Sequence, residues 1–169
     1  MGFWNEATPQ TEPVRNFRFK LMMTQLGGIE VYAKKVSKPS FTIQETSHKF
    51  MNHTFYYPGR TEWNTITFSV VDTVEAKNAQ AVMAAVVNSG YNLPTDESSA
   101  RKTQSKHQAT TSGLGDVKIL SLKADGSTHE TWILKNAWVK DVKFGEYDYE
   151  SDDLTQIDVE VRYDYAEFE

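Results

Sequence analysis

Between Trp63 and Asp72 apolar and polar residues alternate: Ile66, Phe68 and Val70 fall on one side, Thr65, Thr67 and Ser69 on the other. A period of two is what a strand with one buried face requires. Asp72 ends the run, and Asp72-Thr73-Val74-Glu75 has the form of a capping box, in which Glu75 reaches back to the residue that caps the first turn. The period then changes. Ala79, Val82, Met83, Val86 and Val87 form one apolar stripe at helical spacing, with Lys77, Asn78, Gln80 and Asn88 opposite. That pattern predicts a surface helix over residues 75–89, laid across a sheet and ended by Gly90. No other segment repeats at 3.6 residues, so one helix is expected.

Upstream, residues 1–13 read as an irregular arm. Phe17, Phe19 and Leu21 then alternate with Arg18 and Lys20 as a first strand, and Leu26-Gly27-Gly28 predicts a tight turn into a strand over 29–36 that Pro39 ends. Strands near 41–45 and 50–57 follow, separated by 46–49. Pro58-Gly59 joins a fixed φ to a residue tolerant of positive φ, which predicts a chain reversal before the next strand begins near Trp63. Residues 91–115 are rich in Ser, Thr, Lys and Gln and predict a long polar loop, a class of segment that is usually functional or ordered by a partner.

Extended pattern resumes at Asp116. Val117, Ile119 and Ser121 share one face and Lys118, Leu120 and Leu122 the other, and apolar residues on both faces indicate a strand covered on both. Asp125-Gly126 is a hairpin signal. Strands over 131–134 and 137–144 follow, and 154–165 closes the chain with Ile157, Val159, Val161 and Tyr163 inward. About eight strands and one amphipathic helix predict a mainly β fold, a sandwich or barrel, in one domain over residues 1–169.

Composition narrows the function. A chain of 169 residues without cysteine has no disulfides and no thiolate metal sites. No apolar run reaches the roughly 20 residues that span a bilayer, and the first residues lack the pattern of a signal peptide; no membrane insertion is expected. Charge is polarised. Residues 14–60 carry eight Lys or Arg against two carboxylates, whereas 144–169 carry one Arg against ten. A net charge of −5 is wrong for a protein that grips DNA. The polarity suits copies meeting head to tail, with Lys34, Lys35, Lys38 and Lys49 as basic candidates and Asp148, Glu150, Asp152 and Asp153 as acidic ones; two solvated faces would give the same pattern.

Motifs for chemistry are incomplete. His129-Glu130-Thr131-Trp132-Ile133 begins like a zinc-protease helix, but Ile133 stands where the second His is needed. Residues 148–153 alternate carboxylates like a calcium loop, yet Asp153 and Val159 occupy the positions of its Gly and Glu. Trp63, Trp132 and Trp138 with paired carboxylates leave a carbohydrate-binding sandwich or small glycosidase as a competing reading. No nucleophile elbow or phosphate-binding glycine loop occurs, so no catalytic residue, metal or cofactor is assigned.

Pro58-Gly59-Arg60-Thr61-Glu62-Trp63-Asn64 running on to Asp72, preceded by His48-Lys49-Phe50-Met51-Asn52, followed by the helix, and the closing strand through Tyr163-Asp164-Tyr165-Ala166-Glu167-Phe168, together resemble the tail tube protein of contractile-tailed bacteriophages. The resemblance covers roughly residues 36–90 and 137–169. It implies a structural protein, not an enzyme, whose six copies join their sheets into a closed hexameric ring barrel. The rings stack into a hollow tube inside a contractile sheath. Implied partners are further copies of itself, the tail sheath protein, baseplate and tail-terminator proteins and a tape-measure protein in the lumen. Double-stranded DNA would pass without specific binding, in a virion assembled in host cytoplasm. Related folds form the tubes of type VI secretion and of extracellular contractile injection systems, the alternative identity. On this reading the hairpin near residues 41–57 extends the barrel towards the next ring, with Thr42, Gln44 and Thr46 facing the channel.

Overall fold

The computed structural model describes residues 14–24, 29–31, 33–72 and 77–169. Ten strands form: β1 Phe19–Met23, β2 Ile29–Val31, β3 Ala33–Val36, β4 Phe41–Phe50, β5 His53–Trp63, β6 Ile66–Val71, β7 Gly115–Leu122, β8 Thr128–Lys143, β9 Gln156–Arg162 and β10 Tyr165–Phe168. The helices are α1 Lys77–Asn88, α2 Glu97–Ala100 and α3 Lys106–Gln108, the last running into a π-helical segment, Ala109–Gly113. Eight strands make one antiparallel sheet in the order β2-β1-β7-β8-β9-β6-β3, with β10 also paired to β8. That path begins and ends on strands that are consecutive in the chain, so the sheet curls around its own core. A ring barrel closed by six copies is beyond what a single chain displays. The other two strands, β4 and β5, pair only with each other.

The alternation in β6 and β9 fixes the centre of the core. Ile66, Phe68 and Val70 on β6 and Ile157, Val159 and Val161 on β9 are all at most 1% exposed, and they meet in register, Phe68 opposite Val159 and Ile66 opposite Val161. Leu21, Met23, Val117, Leu134 and Ala137 complete the core from the other half of the sheet. On β7 the buried face is the expected one, Val117, Ile119 and Ser121, and the opposite face is half-buried. The Asp125-Gly126 hairpin is present, with Gly126 at φ 82°.

Helix α1 buries Val82 and Ala85 most deeply, while Val87 is 41% exposed. The stripe is therefore rotated slightly from the one the apolar spacing predicts. Asn78 donates from its side chain to the Val71 carbonyl at 2.9 Å and ties the helix to the end of β6. The predicted capping box, the turn at 26–28 and the arm 1–13 lie outside the described residues.

Four expectations are corrected. The chain does not reverse at Pro58-Gly59: β5 runs straight through, and the hairpin turns at Met51-Asn52, where Met51 takes φ 52°. Pairing passes from Ile43↔Thr61 to Glu45↔Pro58, one residue longer on β5, so Gly59 and Arg60 face Gln44 in a β-bulge directly after Pro58. A side chain at Gly59 would lie 3.0 Å from the Gln44 carbonyl, which is why the bulge needs glycine. The segments 131–134 and 137–144 are one 16-residue strand, bent at Asn136, whose φ is 55°. The first strand begins at Phe19, leaving Phe17 71% exposed.

The polar loop over 91–115 holds three short helical segments, α2, α3 and the π turn, where none was expected. Asp96 caps α2 by accepting from the Ser99 N–H at 2.6 Å, and that bond, with others from the Ser99 and Ser98 hydroxyls, holds its carboxyl below the ordinary range, while Ser99 Oγ accepts from the Asp96 N–H. The π turn closes with Leu114 N–H donating to the Ala109 carbonyl at 3.0 Å. It packs on α1 so closely that a Cβ on Gly113 would lie 2.3 Å from Ser89 Oγ and 3.2 Å from the Ala85 carbonyl. Gly113→Ala is expected to destabilise the fold by about 1–3 kcal/mol through overpacking, measured by thermal or urea unfolding. Gly126→Ala meets open space but sits at φ 82°, so its cost measures left-handed backbone strain without crowding.

Candidate assembly site

Antiparallel register orders the molecule along β8, which runs over 16 residues. Where β8 begins, β1 begins and β7 finishes, with Phe19 opposite Ser121 and Ser121 opposite Glu130. Near the middle of β8, β7 begins, β9 finishes and β6 starts, with Gly115 opposite Ala137, Val139 opposite Val161 and Val161 opposite Ile66. Where β8 ends, β9 begins, with Lys143 opposite Asp158, and Asp72 N–H donates to the Thr155 carbonyl at 3.0 Å. The β4–β5 hairpin leads into the start of β6, and the acidic loop 144–155 joins β8 to β9.

The hairpin is held at its base only. Phe41 packs on Trp63 with centroids 5.1 Å apart, Trp63 packs on Tyr163 at 6.0 Å, and Asn64 N–H donates to the Ser40 carbonyl at 2.9 Å. Burial raises the Tyr163 phenol above its ordinary pKa. Beyond the base all side chains of both strands are exposed, including Ile43, Phe50, Met51, Phe55, Tyr56 and Tyr57. Cross-strand pairs place Thr46 with Tyr57, His48 with Phe55 and Phe50 with His53 on one face. Thr42 and Gln44 lie on that same face, so the stripe chosen as a channel wall is polar near the base and aromatic near the tip. Gln44 donates to Glu62 and Asn64 to Thr42, both at 3.4 Å.

Basic candidates divide between two places. Lys49 sits one residue from the last hairpin pair, opposite Thr54. Lys34, Lys35 and Lys38 line a cleft of about 460 Å³ with Arg15 and Arg18, floored by Phe19, Val36, Ile119 and Trp132. Lys38 is ion-paired with Glu130 on the same cleft. The acidic candidates stay together on the loop that joins β8 to β9. Asp148 accepts from the Glu150 N–H at 2.9 Å and Ser151 accepts from the Asp153 N–H at 3.2 Å, so the loop is shaped by its own turns. Its Tyr147 and Tyr149 are fully exposed. Lys35 is opposite Ser69, Ser69 opposite Asp158 and Asp158 opposite Lys143, so one basic candidate lies three strands from the residue that leads into the acidic loop.

Between the ends, charges are paired. Lys140 and Glu160 are 2.7 Å apart, and Lys135 lies 2.9 Å from Asp116. These bonds lower the Glu160 carboxyl and raise the Lys135 ammonium. Lys106 and Asn136 both donate to Asp164, and the Lys106 contact holds its carboxyl low.

The remaining motifs find structural places. His129 to Ile133 lies on β8, an extended strand. Trp132 packs on Phe168 at 4.8 Å and Trp63 on Phe41 and Tyr163, so these two rings are anchors of the body. His48 and His53 are on the hairpin and His107 on α3. Among the described residues no group of three or more His, Asp or Glu is arranged to hold a metal, and no helix is long and apolar enough to cross a membrane.

No protein-family model matches the chain, and no curated protein matches its sequence significantly. Solved structures do match in shape. A chain of the extended sheath/tube terminator of an extracellular contractile injection system superposes with TM-score 0.69 at 14% identity, over 95% of this chain and 99% of that one. This is the fold of injection-tube proteins. The tube-terminating cap of the anti-feeding prophage gives TM-score 0.68 at 15% identity, over 100% and 99% of the two chains. A chain of the extended sheath–tube complex of an extracellular contractile injection system gives 0.65 at 16% identity, over 95% and 93%. The structural match thus spans nearly the whole chain.

Proposed function

We propose that this protein is a structural, non-enzymatic tube subunit of a contractile injection apparatus, assembling into rings that stack into a hollow tube. The observation that carries the reading is the β4–β5 hairpin, a two-stranded sheet with both outer edges unpaired and its apolar side chains in solvent. A lone hairpin of this kind is marginal in water, and open edges invite pairing with another chain. Neighbouring copies satisfy both needs. Six-fold closure would pair these edges and bury the aromatic half of the hairpin, leaving Thr42, Gln44 and Thr46 as channel wall.

The sheath–tube and terminator assemblies that contain the similar chains support a sheath and a terminator as partners here, and a baseplate protein completes the set. They also favour an extracellular injection particle over a phage tail, whose tape-measure protein and passing DNA would be further occupants of the lumen. Lys34, Lys35, Lys38 and Lys49 against Asp148, Glu150, Asp152 and Asp153 supply the polarity for stacking in one direction. Negative-stain microscopy of the purified protein tests the reading: hollow rings or rods are expected, and dispersed monomers at high concentration would overturn it.

A further inference from the structure

The hairpin ladder brings two of the chain's four histidines together. Its register is unbroken from Glu45↔Pro58 to Phe50↔His53, and on it His48 stands opposite Phe55. His48 and His53 therefore share one face and sit diagonally across the two strands, a relation in which Cβ atoms are about 7 Å apart. Two imidazoles can close that gap on one metal ion, each placing a ring nitrogen about 2.0–2.1 Å from it. Both side chains are exposed, and neither ring has a hydrogen bond or ion pair among the described residues. Their ligand nitrogens are unclaimed by the fold.

The surroundings choose the class of ion. Imidazole suits Zn²⁺, Cu²⁺ and Ni²⁺, whereas Mg²⁺ and Ca²⁺ take oxygen ligands, and none of the neighbours on that face supplies a carboxylate. Those neighbours, Thr46, Phe50, Phe55 and Tyr57, carry no charge, and Lys49 pairs with Thr54 on the opposite face. No ammonium on the histidine face repels a cation. The hairpin also gains from such an ion: it is held to the body only at its base, and two strands alone are marginal in water. An ion that binds only when both strands are in register adds its binding free energy to that register.

We propose that His48 and His53 together ligate a divalent transition-metal ion and clip the hairpin near its tip, with water completing the coordination. Zinc titration of the full chain tests it, read by calorimetry and by hydrogen exchange of the hairpin amides. The wild type is expected to take up Zn²⁺ and to slow exchange over residues 48–53, and Mg²⁺ at the same concentration to do neither. His48→Gln and His53→Gln are each expected to lose at least about tenfold in affinity, since even an outer partner of a metal ligand is worth about 10–100-fold. His107→Gln and His129→Gln, on α3 and β8, keep wild-type uptake. Lowering the pH from about 7.5 to 5.5 releases the ion, because protons compete for the same nitrogens. Absence of uptake at millimolar zinc, or uptake undiminished in the double variant His48→Gln/His53→Gln, overturns the site. The titration reads the hairpin of each chain, so its outcome is separate from the rods that test the tube.

Discussion

Replacing Thr42–Glu62 with a two-residue Asn-Gly turn is expected to yield a folded body that forms no rods. Phe41 and Trp63 are cross-strand partners, so the cut ends already lie side by side and a type I′ turn can join them. Keeping both residues preserves the Phe41–Trp63–Tyr163 stack, which is where the hairpin meets the body. The deleted side chains are all exposed; removing them takes nothing from the core and removes the longest unpaired edges in the described structure. The expected readout is a wild-type strand signal by circular dichroism, a melting temperature within a few degrees, and monomers in sedimentation and micrographs. Rods of normal length from this variant would show that the hairpin is dispensable for assembly.

Phe68→Ala is expected to be the most damaging single substitution to the body. Phe68 is 1% exposed and lies in a row with Val36, Val159 and Val142 across four strands. Truncating it removes transfer free energy and leaves a cavity in a rigid sheet, together about 3–5 kcal/mol. Against a total stability of about 5–15 kcal/mol that is a large share, and it corresponds to a fall in melting temperature on the order of 10 °C for a chain this size. Val87→Ala is the control. Val87 belongs to the helical stripe in sequence but is 41% exposed, so its truncation is expected to cost less than about 0.5 kcal/mol. Equal losses from the two would mean that the β6–β9 row is not the centre of the core.

That contrast shows how much the hydrophobic pattern conveyed. Strands β6, β7 and β9 were legible because each buries one face over at least six residues and carries the period of two that burial imposes. Helix α1 was legible for the same reason at 3.6, although its exact azimuth depends on the sheet beneath it, which chose Ala85 over Val87. Helices α2 and α3 and the π turn span three to five residues each, too few for a period to register. They are fixed by caps at Asp96 and Ser105 and by the fit of Gly113 on α1. Pro58-Gly59 misled because its turn chemistry equally suits a bulge, and only the Gln44 carbonyl across the ladder decides between them. Asn136 bends β8 without ending it, since the pairing on either side continues.

For the assembly site, the sequence determined the ingredients: a basic first third, an acidic last portion, and a tail-tube resemblance carried by residues around Pro58–Asp72 and the closing strand. The tertiary structure alone decided their arrangement. Charges far apart in a chain can end up anywhere, and it is the antiparallel register that sets Glu130 near the start of β8 and brings Lys35 level with Asp158 and Lys143. Exposure of the hairpin was likewise invisible beforehand, because an alternating aromatic strand reads the same whether its own core covers it or another molecule must.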